Sequence, residues 1–134
     1  MAFDPTDLGQ TFQEAIKRFN AADYDSLAGL FHDNVEMKQV DDVDVERSKQ
    51  GVRDYLNNTQ KNNKPQFNIE INNVTQQPDY LLADAGSTGI TSGYGNYADI
   101  KGKTAKRVLY CFVFLRDANR NWLLRLGFAT LLEK

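Results

Sequence analysis

The stretch "FNAADYDSLAGLFHDNVEM", Phe19 to Met37, decides how the rest of the chain is read. A helical pattern runs up to it: Leu8, Phe12, Ala15, Ile16 and Phe19 recur at the spacing that makes one apolar helix face. Asp4-Pro5 marks the start of that helix, since Asp accepts from free N–H groups and Pro suits the first turn. The pattern breaks at Asn20-Ala21-Ala22-Asp23. It restarts at once, with Asp23 able to cap and with Tyr24, Leu27, Ala28 and Phe31 forming a second, short apolar face. Alternation then begins, Val35, Met37 and Gln39 against Glu36 and Lys38, which reads as a strand. A helix, a break without a loop, a two-turn helix and a strand thus follow one another directly.

Downstream, Ser48 opens a third helix with Val52, Tyr55, Leu56 and Thr59 aligned. After Pro65 the helical period disappears. "FNIEI" alternates, and Asn72-Asn73 shifts the parity as a bulge would. Pro78-Asp79 signals a turn, and "YLLADAGSTGITSGY" reads as a glycine-bearing strand. "TAKRVLYCFVFLRD" and "NWLLRLGFATLL" are long strands joined by the turn "DANRN". The expected architecture is a single α+β domain spanning residues 1–134: three helices interleaved with one strand, then four consecutive antiparallel strands.

The last two strands are apolar on both faces. Val108, Tyr110, Phe112 and Phe114 alternate with Leu109, Cys111, Val113 and Leu115. An antiparallel sheet with one wet face alternates apolar with polar instead. One face is expected to cover the helices and the other a second copy of the chain, through Leu109, Cys111, Val113 and Leu115. Arg125 lies in "LLRLGF", opposite a face assigned to Trp122, Leu124, Leu126 and Phe128. It reads either as an anchor for an anionic ligand or as an interface arginine paired with an acid of the partner, and the interface is favoured.

The bulk numbers exclude several classes. With 16 basic and 18 acidic residues the net charge is −2, which leaves no basic excess for nucleic acid. No apolar run approaches a membrane span. "MAFDPTDLGQ" has neither a basic nor an apolar leader segment, so a cytoplasmic protein is expected. The single cysteine, Cys111, cannot form an intrachain disulfide and reads as a small buried hydrophobe.

The order of elements resembles the NTF2-like superfamily, including its ketosteroid isomerase-like and SnoaL-like members. The resemblance rests on the "NAADYDSLAGLF" break, the strand reached through "HDNVEM", the small-residue-Gly pattern of "SKQGVRDYL", and the Trp that opens "NWLLRL". It implies a cone: three N-terminal helices packed in the concave face of a strongly curved, mostly antiparallel sheet, with an apolar pocket open at one end. It also implies a homodimer through the outer sheet face and a small hydrophobic, oxygen-bearing ligand that is either bound or acted on by isomerase-, cyclase- or dehydratase-type chemistry. The isomerase members use a tyrosine, a carboxylate base and a protonated acid at positions that fall here on Ala15, Gln39 and Tyr110. Alanine has no proton to donate, and Gln39 cannot serve as a base at neutral pH, so steroid-type proton transfer is not expected.

The pocket is expected to be lined by Met37, Gln39, Tyr55, Val108, Tyr110 and Phe112. Tyr110 is the one weak catalytic candidate. Its phenol is either a hydrogen-bond donor to a ligand oxygen or a core group bonded to backbone. No cofactor or metal is expected. The acidic loop Asp41, Asp42, Asp44, Glu46 lacks the glycine of an EF-hand, Arg47 standing in its place. "GKT" at Gly102 to Thr104 lacks a phosphate loop's first glycine, since Tyr97 stands there. His32 follows the short helix, where a cation suits the dipole. A non-enzymatic dimerisation or protein-interaction module is the alternative function.

Overall fold

The computed structural model describes residues 3–38, 45–62, 64–78, 86–98 and 106–132. Helix α1 spans Leu8–Asn20 and α2 spans Tyr24–Ala28. The joint between them answers the question set by their sequence. Asp23 N–H donates to Arg18 O and Ala22 N–H to Phe19 O, both at 3.0 Å, closing α1 in a Schellman motif. Ala22 takes the left-handed position, at φ 56°. Asp23, the last residue of that motif, is also the N-cap of α2, its carboxylate accepting from Ser26 N–H at 3.3 Å. One residue ends a helix and starts the next, so no loop is needed.

The N-cap of α1 is Asp7, whose carboxylate accepts from Gln10 N–H at 2.9 Å, and not Asp4. Asp4 accepts instead from the Thr6 backbone and hydroxyl, which hold its carboxyl below the usual range. That turn is fastened to the sheet: Trp122 donates its N–H to Pro5 O at 2.9 Å and its indole N–H to Thr6 O at 3.1 Å.

Strand β1, Phe31–Lys38, starts directly after α2, earlier than the alternation suggests, and Phe31 is fully buried. A two-residue strand, β2 (Glu46–Arg47), pairs with it. Helix α3 covers Lys49–Tyr55, with the Ser48 hydroxyl accepting from Gly51 N–H at 3.0 Å. It continues into a wider π-helical turn over Leu56–Gln60. The wider turn rotates the face, so Gln60 is buried and Thr59, expected inward, is exposed.

Strands β3 (Gln66–Gln76), β4 (Thr88–Ala98), β5 (Lys106–Arg116) and β6 (Trp122–Leu131) complete one six-stranded sheet in the order β2-β1-β6-β5-β4-β3. All neighbours are antiparallel except β1 and β6. The chain is an α+β fold of three helices on a mostly antiparallel sheet.

Two bulges set which side chains face inward. In β3 the extra residue is Glu70, between Ile69 and Ile71, and not the Asn72-Asn73 pair. In β6 the extra residue is Arg125: Phe114 pairs with Leu124 but Val113 pairs with Leu126. Trp122 and Leu124 therefore face the core, whereas Leu126 and Phe128 share the outer parity with Val113 and Cys111. The expected single face of Trp122, Leu124, Leu126 and Phe128 is split in two, because one added residue reverses every side chain after it. The core is aromatic: Trp122, Tyr24, Tyr110, Phe31 and Phe114 are all fully buried.

Candidate functional site

A cavity opens between α1 and the concave side of the sheet. Helix α1 supplies Phe12, Ala15, Ile16 and Phe19, the same spaced positions that make its apolar face, and α2 adds Leu27. The sheet supplies Met37, Phe112, Phe114, Leu124 and Ala129, and Phe67 closes the side at the start of β3. Tyr97, Lys38 and Phe128 complete the wall. Lys38 pairs with Phe128 across β1 and β6, on the parity opposite Met37 and Gly127, so these two form rim and not floor.

The free space is about 60 Å³. One water needs roughly 10–15 Å³ of such space, so the cavity has room for about four to six waters, or one aromatic ring. Among the wall residues only Tyr97 and Lys38 carry polar side chains, and none carries a carboxylate or imidazole. Apolar walls with few polar groups are the usual make-up of a small-molecule site.

Phe67 is held in the wall by a clamp from α1. The Asn20 side chain donates to Phe67 O at 2.9 Å and accepts from Phe67 N–H at 2.8 Å. Gln66 donates to Asn20 O at 2.7 Å. The amide of Asn20 thus substitutes for a strand neighbour at the open edge of β3, and the Phe67 ring stands edge-on to Tyr110 at 5.5 Å.

Of the residues expected in the pocket, Met37 and Phe112 are in the wall. Gln39 lies outside the described residues, as do Asp41, Asp42, Asp44 and the Gly102–Thr104 segment. Tyr55, Val108 and Tyr110 are not in the wall. Val108 is fully buried one row further along β5, and the Tyr55 hydroxyl accepts from Gln60 at 3.3 Å.

Of the two readings open for Tyr110, the hydroxyl makes the contacts of the core group bonded to backbone. Its ring stacks on Phe12 at 5.6 Å, and its hydroxyl reaches over Gly93 to β3. There it lies 3.0 Å from Ile71 O and 2.7 Å from Asn72 Oδ1. Burial pushes its pKa up to about 12, so at neutral pH it is a neutral phenol with its one proton engaged in the sheet. Alternation along β5 is visible in sequence, but the lean of a ring toward β3 is not.

Arg125 is paired within the chain. Its acid partner belongs to its own chain: Nη1 lies 3.1 Å from Glu36 Oε2, and Arg47 Nε is 3.6 Å from the other oxygen of the same carboxylate. The bulge turns Arg125 to the outer side with Leu126, away from the cavity wall. His32 Nδ1 accepts from Asn34 N–H at 3.0 Å. Among the described residues no group of three or more His, Cys, Asp or Glu is placed to hold a metal.

No protein-family model matches the sequence, and no curated protein matches it. Solved structures do. An NTF2-like protein with a cystatin-like fold from Novosphingobium aromaticivorans superposes with a TM-score of 0.72 at 11% identity, covering 92% of this chain and 79% of that one. The fold is NTF2-like. A ketosteroid isomerase-like protein from Erwinia carotovora atroseptica gives 0.73 at 10% identity, with 95% of each chain covered. A chain of the yeast deubiquitinase Ubp3 and Bre5 cofactor complex gives 0.72 at 7% identity, with 92% of each covered. An NTF2-like cone thus carries an isomerase-like protein in one case and part of a protein complex in another, and activity must be argued from the wall of the cavity.

Proposed function

We propose that this chain binds a small, uncharged, hydrophobic molecule about the size of one aromatic ring in the NTF2-like cavity, and that it does so without acid–base chemistry. The observation that carries the reading is the wall itself: Phe12, Ile16, Phe19, Phe67, Phe112 and Phe114 around a space of about 60 Å³. Burying an ionised ligand group there without a partner would cost several kcal/mol or more. Burying a ring against such walls gains about 25 cal/mol per Å² of apolar area. Ala15 and Tyr110 supply no proton donor to the cavity, the first lacking one and the second turned toward β3.

Ligand-observed NMR with toluene and p-xylene tests this. Both should bind, and Ala15→Leu, which pushes three more carbons into the space, should abolish the signal while the fold persists. Failure of both rings to bind the wild type would end the proposal.

A second surface supports a partner. On the outer parity of the sheet Ile90, Leu109 and Leu126 are each 37% exposed, with Cys111, Val113 and Leu115 half-buried beside them. No element of this chain among the described residues covers that face. We assign it to a second copy of the chain, because two polar clusters, Glu70–Arg107 and Glu36–Arg125–Arg47, flank an apolar centre as in self-complementary interfaces.

A further inference from the structure

Gly127 on β6 is a glycine for which the backbone gives no reason. Among the described glycines only Gly86 and Gly93 have positive φ, so the chain direction at 127 suits an ordinary residue. What bars a side chain is a neighbour. A Cβ at 127 would stand 2.5 Å from Cδ1 and 2.7 Å from Cε1 of Phe112. The next atom, Leu124 Cδ2 at 3.8 Å, would be in ordinary contact. One edge of the Phe112 ring therefore takes the place of the missing side chain.

The ring lies between Gly127 and the cavity. Phe112 and Met37 are the partners of Gly127 on β5 and β1. Both line the cavity, as do Leu124 and Ala129 on either side along β6, whereas Gly127 in their midst does not. Other sides of the ring are filled. The Phe12 ring stands 5.5 Å away, the Tyr110 ring 5.6 Å, and Thr91, the partner on β4, is fully buried. Phe112 itself is only half-buried, with the cavity on its open side. A ring pushed off Gly127 has the cavity to move into.

We propose that Gly127 is a specificity-determining position that limits the ligand to one ring. With no side chain at 127, the Phe112 ring lies back against β6 and leaves room for a single ring. A fused two-ring molecule would need the space that the Phe112 ring fills. A Cβ at 127 would drive that ring forward by about 1 Å, to reach the roughly 3.5–4.0 Å at which carbon atoms rest, and so narrow the cavity. The ligand class is the monocyclic aromatics, and Gly127 acts on them only through Phe112. This rests on the cavity-binding reading above and adds what sets its size limit.

The test is titration NMR with toluene and naphthalene on wild type, Gly127→Ala, Phe112→Val and the double variant. Valine suits a strand and lacks both atoms that would meet a Cβ at 127. Wild type should bind toluene and not naphthalene, and Phe112→Val should bind both. Gly127→Ala should weaken toluene by about 10-fold or more. In the Phe112→Val background the same alanine should cost neither toluene affinity nor melting temperature.

Loss of affinity or stability in both backgrounds overturns the proposal, because the glycine would then be serving the fold. Toluene binding to Gly127→Ala as tightly as to wild type also overturns it. So does naphthalene that binds wild type or fails to bind Phe112→Val. If Gly127→Ala alone does not fold, the double variant still decides, by matching Phe112→Val or by failing to. If toluene binds neither wild type nor Phe112→Val, the cavity reading itself falls.

Discussion

The hydroxyl of Tyr110 lies 2.7 Å from Oδ1 of Asn72, two strands away, and passes over Gly93 to reach it. A phenol has one proton, and Ile71 O at 3.0 Å also faces it. Both contacts are satisfied when Tyr110 donates to Ile71 O and the Asn72 amide is turned to donate its N–H to the phenol oxygen. The pair works as a strut between β5 and β3, and it explains why a tyrosine in the middle of an aromatic cluster does not serve the cavity.

Tyr110→Phe should therefore lower stability by about 1–3 kcal/mol, the cost of leaving a carbonyl and an amide short of a partner. Binding in the cavity should be unchanged. Thermal melts and toluene titration check the two halves, and a variant of native stability that no longer binds would return Tyr110 to the ligand site.

The same phenol gives a pH signature. Its pKa in the fold is about 12 against an ordinary 10, so the unfolded chain releases the proton first. The contribution is complete below pH 10 and is lost as pH rises from about 10 to about 12. Wild type and Tyr110→Phe should converge in stability over that window in denaturant titrations. Curves that stay parallel through pH 12 would contradict the burial of the phenol.

Gly93→Ala should be more damaging than Tyr110→Phe. Gly93 sits at φ 153°, and a Cβ there would run into the carbonyl of Ile71. The clash is with backbone, which cannot turn aside as a side chain can, and a strained backbone position alone costs about 1–3 kcal/mol. Circular dichroism should show a large drop in melting temperature, and a drop smaller than that of Tyr110→Phe counts against the account.

Asn20→Ala should loosen the wall from a distance. It removes two hydrogen bonds to Phe67 and costs about 1–3 kcal/mol. The Phe67 N–H and its neighbours in β3 should exchange with solvent faster, while amides of β5 and β6 keep their protection. Uniform loss of protection would mean that Asn20 serves the whole fold and not the edge.

Val113→Lys tests the proposed copy-to-copy interface. Val113 is half-buried on the outer parity between Ile90 and Leu126, so a lysine there should leave the core intact and prevent association. Sedimentation should find wild-type dimer and mutant monomer. A wild-type monomer at micromolar concentration removes the basis of the assignment.

The architecture was legible wherever it depended on residue type at a regular spacing. Asp23 signals a cap, and Phe12 to Phe19 signal a face, because capping chemistry and helical period are properties of local sequence. The cavity was legible only in part, through Met37 and Phe112. What escaped were the single-residue insertions at Glu70 and Arg125 and the π-helical turn over Leu56–Gln60. Each swaps the faces that follow, and each is set by pairing with a distant strand or helix and not by its own side chain. The helix contribution to the wall, Ala15 and Ile16 among it, looked the same in sequence as ordinary core.

Asp23 carries one more consequence. Because it closes α1 and opens α2, the two helices share a joint with no spare residue, and Phe19 and Leu27 meet the cavity from either side of it. Adding one residue there would turn a helix by about 100° relative to its neighbour and carry one of those side chains out of the wall. Lineages of this chain should therefore tolerate no length change between residues 19 and 27.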